Sequence, residues 1–299
     1  MYLSITSTVF SDHTAIPPEE NLPRAMALCR EAGFEYLDLN FGTHVMPGFP
    51  MAGDGWEKWV DRIGEEAARL GVSFRQSHFF VYRTRESTDM SIDRALYEER
   101  IRRSILAASR LGVEWLVLHA ADFDADPEYD FEKARRYNIA YWRPFVELAG
   151  KHGVGIAFEN LFASGHHARY CSTPEELIDL VEAFDTPLVG VCWDTGHAAV
   201  AGQDQPAALR RLGARVKCTH IHDNHCQPKG DEHLIPYYGS IDWPPILRAL
   251  RDIGYQGNFS LELKHAPQAL PEALCGDRLR FLRALGGDMI RQTERSSEA

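Results

Sequence analysis

Residues 148–160, LAGKHGVGIAFEN, contain the element that decides the fold: the end of a helix, a glycine and a short apolar strand. The helix is predicted over Phe131–His152 and the strand over Gly155–Glu159. Gly153 follows the helix, and glycine adopts a left-handed backbone there at little cost, which turns the chain back onto a sheet. The same join recurs at Gly33, Gly71 and Gly112.

Strand and helix alternate in this way along the chain. Eight strands are predicted, at Tyr2–Ser7, Tyr36–Phe41, Ser73–Phe79, Trp115–His119, Gly155–Glu159, Gly190–Asp194, Lys217–Asp223 and Phe259–Lys264. Eight helices are predicted between and after them, at Pro18–Ala32, Trp56–Leu70, Asp93–Leu111, Phe131–His152, Thr173–Phe184, Gln205–Leu212, Trp243–Ile253 and Pro271–Leu285. Eight units in 299 residues average about 37 residues each, which is typical of a (β/α)8 barrel.

We therefore predict an α/β fold, a single (β/α)8 TIM barrel domain over residues 1–299, with a frayed tail at 292–299. The alternative is an open doubly wound sheet. That fold usually carries a glycine-rich phosphate loop after its first strand, and residues 7–11, STVFS, contain no glycine.

The composition, with 44% hydrophobic and 25% charged residues, is that of a soluble globular protein and not of a disordered one. The net charge of −11 makes nucleic acid a disfavoured partner, although a local basic groove remains compatible with it. The sequence predicts no membrane span and no signal peptide at residues 1–6, MYLSIT. Six cysteines without a C-x-x-C pair indicate reduced thiols and a cytoplasmic protein.

Acidic and imidazole residues stand at the carboxyl ends of six consecutive predicted strands. They are His78, His119, Glu159, Asp194, His220 and Glu262, at intervals of 41, 40, 35, 26 and 42 residues. Strand ends of this kind meet at the active-site rim of a (β/α)8 barrel. Converging carboxylates repel one another, and a divalent cation relieves that repulsion.

Four of the six are the predicted core ligands of a metal ion: Glu159, Asp194, His220 and Glu262. This mostly oxygen set suits Mn²⁺, Mg²⁺, Co²⁺ or Zn²⁺, and extra imidazoles from His78 and His119 would favour Zn²⁺. The alternative for the four is a ring of polar rim residues bonded to loops. For His78 and His119 the alternative is substrate contact or capping of the core.

Three further histidines are predicted to contact substrate. His197 lies in the first turn after strand six, where a substrate or second-metal role competes with helix capping. His222 shares the inward face of strand seven by alternation, although a hydrogen bond to Glu262 or Asp223 would also explain it. His44 lies in the long loop after strand two.

Two pairs of residues and four loops complete the list of candidates. Asp231 and His233 lie in a charged loop, a pattern that alone is typical of a solvated surface. Cys192 and Cys218 alternate in phase with the strand-end ligands and are predicted to be small core residues. Aromatic residues suited to sugar stacking lie in the predicted specificity loops Phe41–Met51, Phe79–Arg85, Phe162–His167 and Pro236–Tyr238.

These motifs resemble the xylose isomerase-like TIM barrels, which include sugar isomerases and epimerases and the type IV apurinic/apyrimidinic endonucleases. The resemblance runs from strand one to the last helix. It is carried by Glu159-Asn160, Asp194-Thr195-Gly196-His197, residues 220–224 (HIHDN), residues 231–234 (DEHL) with 239–243 (GSIDW), and Leu261-Glu262-Leu263. The resemblance implies the fold and a metal-dependent activity.

In the epimerase branch, the matching positions imply one metal ion held by the four core ligands. His197 would then bind the substrate. Glu159 and Glu262 would be the acid and the base, transferring a proton through a metal-stabilised enediolate. The substrate would be a sugar or sugar phosphate.

In the endonuclease branch, nine matching positions imply three zinc ions that activate water for phosphate ester hydrolysis. The nine are His78, His119, Glu159, Asp194, His197, His220, Asp231, His233 and Glu262. All nine match by residue type, so the number of metal ions expected lies between one and three, with zinc or manganese favoured over magnesium and cobalt.

We predict a divalent-metal-dependent sugar or sugar-phosphate isomerase or epimerase of carbohydrate metabolism. The alternatives are a multi-zinc phosphoesterase, a dehydratase on the same barrel, and a non-catalytic sugar-binding barrel. The acidic net charge and the absence of arginine-rich loops after strands one and two favour a small carbohydrate over DNA. The sequence leaves open which sugar is the substrate, and it is compatible with a homo-oligomer.

Overall fold

Eight parallel strands close into a barrel in the computed structural model, which describes residues 1–9, 16–79, 93–123, 128–163, 168–226, 230–263 and 270–294. Each strand pairs with the next in sequence, and β8 pairs with β1. The strands are β1 Tyr2–Thr6, β2 Tyr36–Asn40, β3 Ser73–His78, β4 Trp115–Leu118, β5 Gly155–Glu159, β6 Val189–Asp194, β7 Val216–Ile221 and β8 Asn258–Leu261. The predicted (β/α)8 barrel is confirmed.

Helices surround this barrel. They are α1 Pro18–Glu31, α2 Phe41–His44, α3 Trp56–Leu70, α4 Arg94–Arg110, α5 Phe131–Lys151, α6 Pro174–Glu182, α7 Thr195–Val200, α8 Gln205–Leu212, α9 Trp243–Asp252 and α10 Glu272–Glu294. Within the described ranges, single turns of 3₁₀ helix lie at Pro50–Ala52 and Gly213–Arg215. Among the described residues, none of the helices is long and apolar enough to cross a membrane.

Capping side chains and glycines fix where the helices begin and end. Asp93 and Asp130 accept hydrogen bonds from the backbone N–H groups three residues ahead, which satisfies donors that the first turn leaves free. Gly71 ends α3 with φ of 68°, a left-handed value that a residue with a Cβ adopts only with strain. These signals explain why the predicted boundaries of most helices lie within two residues of the observed ones.

Small side chains form a separate cluster inside the barrel. Val117, Ala157, Cys192 and Cys218 form one buried apolar cluster. Both cysteines are free, and burial raises the pKa of each thiol, so neither is a ready nucleophile. The prediction that they are small core residues is confirmed.

The last helix corrects one expectation. A frayed tail was predicted from Gln292, but α10 continues to Glu294. The helix persists because Met289 and Thr293 are buried, with 0% and 2% of their surface exposed, and this packing outweighs the polar composition of the segment. Residues 295–299 lie outside the described residues. The short helices α2 and α7, directly after β2 and β6, were not predicted.

Candidate metal centre

Glu159, the last residue of β5, lies at the centre of the carboxyl-terminal mouth of the barrel. Its side chain is 1% exposed. Oε2 lies 3.1 Å from His119 Nε2 and 3.3 Å from His78 Nε2. Oε1 lies 3.0 Å from His220 Nδ1 and 3.4 Å from His197 Nδ1. One buried carboxylate therefore lies close to four imidazoles, three at or directly after strand ends and one, His197, in α7.

Asp194, the last residue of β6, is held from three sides. Oδ1 accepts a hydrogen bond from the backbone N–H of His197 at 2.6 Å and so caps α7. Oδ2 lies 2.9 Å from His222 Nε2. Asn160 binds the backbone of Asp194 twice, accepting from its N–H at 2.6 Å and donating to its carbonyl at 2.9 Å. The carboxylate is thereby fixed at the mouth of the barrel.

His220 and Glu262 complete the group of core ligands. The β6–β7 register places His220 directly opposite Asp194. His220 Nδ1 lies 3.4 Å from Glu262 Oε2, and Glu262 follows β8 by one residue. The ligand atoms of the four predicted core residues, Glu159, Asp194, His220 and Glu262, all lie within 4.8 Å of one another.

A second group lies beside the first. The ligand atoms of His197, Asp231 and His233 also lie within 4.8 Å of one another. His233 Nε2 contacts Asp231 Oδ2, and His197 Nε2 lies 3.6 Å from the same oxygen. His233 Nδ1 lies 3.0 Å from the backbone carbonyl of Glu262. His78, His119 and Glu159 form a third such group, so all nine predicted positions converge on one mouth.

The loop that carries Asp231 and His233 is anchored by Asp223, which is completely buried. Asp223 Oδ2 accepts hydrogen bonds from the backbone N–H of Tyr237 at 2.9 Å and from Trp243 Nε1 at 3.0 Å. Oδ1 accepts from the backbone N–H of Asn224 and Ile241, at 2.9 and 3.1 Å. Because these bonds tie residues on both sides of Asp231 and His233 to the end of β7, they help to position the two candidate ligands.

The backbone of this loop is strained. His233 and Tyr237 have φ values of 49° and 72°, in the left-handed region that residues other than glycine rarely adopt. A Cβ at Gly239 would lie 2.3 Å from Asp223 Oδ1, so the loop packs directly on its anchor. Such strain persists only where surrounding contacts hold it, and it is common at functional sites.

The charges of the site compensate one another across short distances. Burial lowers the pKa of His197, but the nearby carboxylates of Asp194, Asp231 and Glu159 have the larger, opposite effect. Together they raise this pKa to about 10. Burial raises the pKa of Glu159, yet His220 and His119 hold it well below its usual range. Burial alone dominates at His119 and lowers the pKa of its imidazole.

The donor set fits a divalent cation. Four carboxylates and a larger number of imidazoles converge in a site where each ionised group is costly unless an opposite charge compensates it. In the absence of a metal ion, only protons on the imidazoles can supply that charge. Oxygen and imidazole nitrogen together are ligands for Zn²⁺, Mn²⁺ and Co²⁺.

A model of the family described as xylose isomerase-like TIM barrels matches residues 26–285. This chain belongs to that family. The resemblance inferred from the strand-end motifs is confirmed.

Curated relatives are similar to parts or most of the chain. The uncharacterised protein MJ1311 of Methanocaldococcus jannaschii is 31% identical over 59% of this chain and 60% of its own length. An inosose isomerase of Bacillus velezensis is 22% identical over 85% of this chain and 87% of its own length. An inosose dehydratase of Geobacillus thermodenitrificans is 26% identical over 40% of this chain and 44% of its own length.

Solved structures resemble this chain over nearly its whole length. A structure of L-ribulose 3-epimerase superposes with a TM-score of 0.77 at 18% identity, covering 100% of this chain and 97% of the epimerase. The IolI protein, solved with a bound zinc atom, superposes with a TM-score of 0.73 at 19% identity, covering 98% and 99% of the two chains. At these identities the likeness shows the fold.

A cavity of about 260 Å³ opens at the mouth of this xylose isomerase-like barrel. Its lining comprises Asn40, Gly42, Thr43, His78, Phe79, His119, Glu159, His197, Asp231, His233 and Glu262. Seven of these residues are predicted site residues. Asn40 at the end of β2 and Gly42 and Thr43 in α2 were not singled out as individual site residues by the sequence.

The structure separates two predicted substrate contacts from this cavity. His44 is buried against Trp59 and Phe49, with ring centroids 5.0 and 6.4 Å away, and does not line the described cavity. Burial lowers its pKa to about 4, so it is a neutral core residue. His222 lies behind Asp194 and stacks on His233 at 4.0 Å, which favours a supporting role over substrate contact.

The predicted specificity loops are only partly described. Phe41–Met51 begins with α2, whose first residues flank the cavity. Tyr237 and Tyr238 are 47% and 61% exposed in the loop that Asp223 anchors. Residues 80–85 and 164–167, which form most of the other two loops, lie outside the described residues.

Asp38 is the buried site residue that the sequence analysis missed. It lies in the middle of β2, in the sequence YLDLN, with 2% of its surface exposed. Its Oδ2 lies 3.2 Å from His220 Nε2. The sequence did contain a signal for this residue. Side chains alternate between the two faces of a strand, so Asp38 points to the face opposite to that of Leu37 and Leu39, which is the barrel interior.

Proposed function

We propose that this protein is a divalent-metal-dependent isomerase or epimerase of a small sugar or polyol. The observation that carries this proposal is the convergence of two glutamates, one aspartate and one histidine within 4.8 Å at the mouth of the barrel. The cavity in front of them, at about 260 Å³, has room for a monosaccharide or a cyclitol. The relative that is an inosose isomerase and the fold likeness to an L-ribulose 3-epimerase support the same class of substrate.

The four core ligands would hold the cation. A bound divalent cation would supply Lewis acidity that makes a C–H bond next to a carbonyl easier to deprotonate. Glu159 and Glu262 both line the cavity, so one carboxylate can remove this proton while the other returns a proton to the opposite face or to the neighbouring carbon. Proton return to the opposite face gives an epimer, and return to the neighbouring carbon gives an isomer.

The two glutamates differ in how tightly they are held. The contacts of Glu159 with His119 and His220 fix both of its oxygens. The side chain of Glu262 is 18% exposed, so it has more freedom to follow the substrate. His197 presents Nε2 towards Asp231 while its Nδ1 bonds the carbonyl of Asn160 at 2.9 Å, which orients its ring as a substrate contact.

Deuterium incorporation tests this proposal across many candidate substrates at once. The protein, loaded with Mn²⁺ or Zn²⁺, is incubated in D₂O with a panel of ketoses, their phosphates and inososes. We expect one member to gain deuterium at the carbon next to its carbonyl and to yield an epimer or isomer, as read by mass spectrometry and NMR. Binding without deuterium uptake or conversion across the panel would instead favour a non-catalytic sugar-binding barrel.

A second candidate function is a multi-zinc phosphoesterase. The observation in its favour is the second ligand group of His197, Asp231 and His233, next to the third group of His78, His119 and Glu159. The described lining of the cavity contains no lysine or arginine, so it offers little attraction to a nucleic acid strand.

Loss of water by elimination, as in the inosose dehydratases, is a third reaction compatible with the same acid–base pair.

Metal counting separates the first two functions. We expect about one tightly bound ion per chain for the isomerase and about three zinc ions for the phosphoesterase, measured by elemental analysis after reconstitution and gel filtration. Removal of the metal by EDTA should abolish turnover in either case, and readdition should restore it. Three zinc ions together with nicking of a duplex that contains an abasic site would overturn the isomerase proposal.

A further inference from the structure

Asp38 reaches across the interior of the barrel. It lies in β2, whereas its neighbours His220 and Ser260 lie in β7 and β8, and β2 pairs with neither of those strands. The contacts therefore cross the barrel interior. A carboxylate in this position is unusual for a barrel core, since burying a charge is costly unless other groups compensate it.

The surrounding groups fix the orientation of this carboxylate. Oδ2 accepts hydrogen bonds from Gln76 Nε2 at 2.6 Å and from Ser260 Oγ at 2.8 Å. Gln76 Nε2 also lies 3.3 Å from the carbonyl of Thr219, so it is itself held in place. Oδ2 thus lies at a defined point 3.2 Å from His220 Nε2.

His220 has two distinct nitrogens in this setting. Nδ1 faces Glu159 Oε1 at 3.0 Å and Glu262 Oε2 at 3.4 Å, so it is the nitrogen on the side of the candidate metal ligands. Among the described carboxylates, only that of Asp38 lies within 4 Å of Nε2. A neutral imidazole can bind a metal through Nδ1 only when its proton is on Nε2.

We propose that Asp38 is a positioning residue that holds His220 in the tautomer protonated at Nε2 and so keeps Nδ1 available to a divalent cation. This inference rests on the proposed function, because it gives His220 the role of a metal ligand. The two atoms are 3.2 Å apart, and among the described residues Nε2 makes no hydrogen bond of regular geometry. A carboxylate can only accept a hydrogen bond, so a small rotation of the ring that brings Nε2–H into line with Asp38 Oδ2 would favour the Nε2–H tautomer and orient the ring. Carboxylates that support ligand histidines in this way typically strengthen metal binding.

Substitution of Asp38 tests the inference through metal affinity. Metal-free D38A and D38N are titrated with Zn²⁺ in competition with a chromophoric chelator, and their thermal unfolding is measured without metal. We expect D38A to bind Zn²⁺ about 10- to 100-fold more weakly than the unaltered protein. D38N should lose less affinity, because its amide oxygen can still accept from Nε2–H.

Ser77 provides a matched control. It lies in β3 beside Gln76, is completely buried, and its Oγ has no hydrogen-bond partner among the residues that the structure describes. S77A removes a buried polar group from the strand next to β2, on the face opposite to Gln76, and does not alter the contacts of His220. Its Zn²⁺ affinity should equal that of the unaltered protein, which separates loss of positioning from a general disturbance of the core.

A measurement on the unaltered protein keeps the inference testable if the variants fail to fold. Long-range ¹H–¹⁵N correlation spectra of the zinc-loaded, histidine-labelled protein should show His220 protonated at Nε2 and bound to metal through Nδ1. Protonation at Nδ1, or folded D38A and D38N that bind Zn²⁺ as tightly as the unaltered protein, would overturn the role of Asp38 alone. An unaltered protein that binds no divalent cation would overturn this role and the proposed function together.

Discussion

E262Q and E159Q are expected to lose nearly all turnover while they stay folded. Glutamine keeps the size of the side chain but cannot take up or deliver the proton, and general acid–base groups contribute about 10²- to 10⁴-fold to rates. We expect kcat to fall by that factor in each variant, together with the deuterium incorporation from D₂O. Circular dichroism and thermal unfolding report whether each protein remains folded.

The two variants should differ in metal affinity. Glu159 compensates several buried imidazoles, so E159Q should also bind metal more weakly. Glu262 is more exposed, and its loss should affect turnover more than metal binding.

E232Q is the matched control. Glu232 lies in the loop after β7, has 40% of its side chain exposed, and accepts a hydrogen bond from the backbone N–H of His225. Full activity in both E159Q and E262Q would reject the proposed mechanism.

G196A is expected to disturb the centre without changing any polar group. A Cβ at Gly196 would lie 1.9 Å from His222 Cε1 and 2.3 Å from its Nδ1. The ring of His222 has little room to move, because it stacks on His233 at 4.0 Å and bonds Asp194 through Nε2. The clash should therefore displace Asp194, weaken metal binding by at least tenfold, and cost about 1–3 kcal/mol of stability.

G64A is the matched control for this substitution. Gly64 also lies inside a helix, α3, but a Cβ there would meet only Leu111 Cδ2 at an ordinary 3.5 Å. Replacement of glycine by alanine in a helix reduces the entropy of the unfolded chain, so G64A should be neutral or more stable by up to about 1 kcal/mol. Equal zinc affinities for G196A and the unaltered protein would show that His222 does not support Asp194.

Periodicity predicted that the candidate metal ligands meet at one end of the barrel, and the structure brings their side chains together there. Each βα unit returns the chain to the same end of the sheet, so His78, His119 and Glu159, spaced by about one unit, had to meet at one mouth. The glycines that follow the helices predicted where those helices end. The predicted start of a frayed tail at Gln292 was wrong, because it relied on the polar composition of that segment. Packing of the last helix outweighs that composition.

Residues outside this periodicity could not be assigned from the sequence in the same way. His44 follows a strand and looks like a rim residue, yet the short helix α2 turns it against Trp59. Asp231 and His233 lie in a loop without a period. They lie beside the other candidate ligands because hydrogen bonds to Asp223 hold that loop against the carboxyl-terminal end of the barrel.

By itself the sequence determined the barrel, the strand ends and the chemical types that meet there, because these depend on local hydrophobic period and unit length. Only the tertiary structure decided which nitrogen of each histidine faces which carboxylate, and that Asp38 stands behind His220. Closure of the barrel brings Asp38 within 2.8 Å of Ser260, 222 residues away, and no local pattern encodes a contact across the interior. Such contacts depend on how all eight strands pack at once.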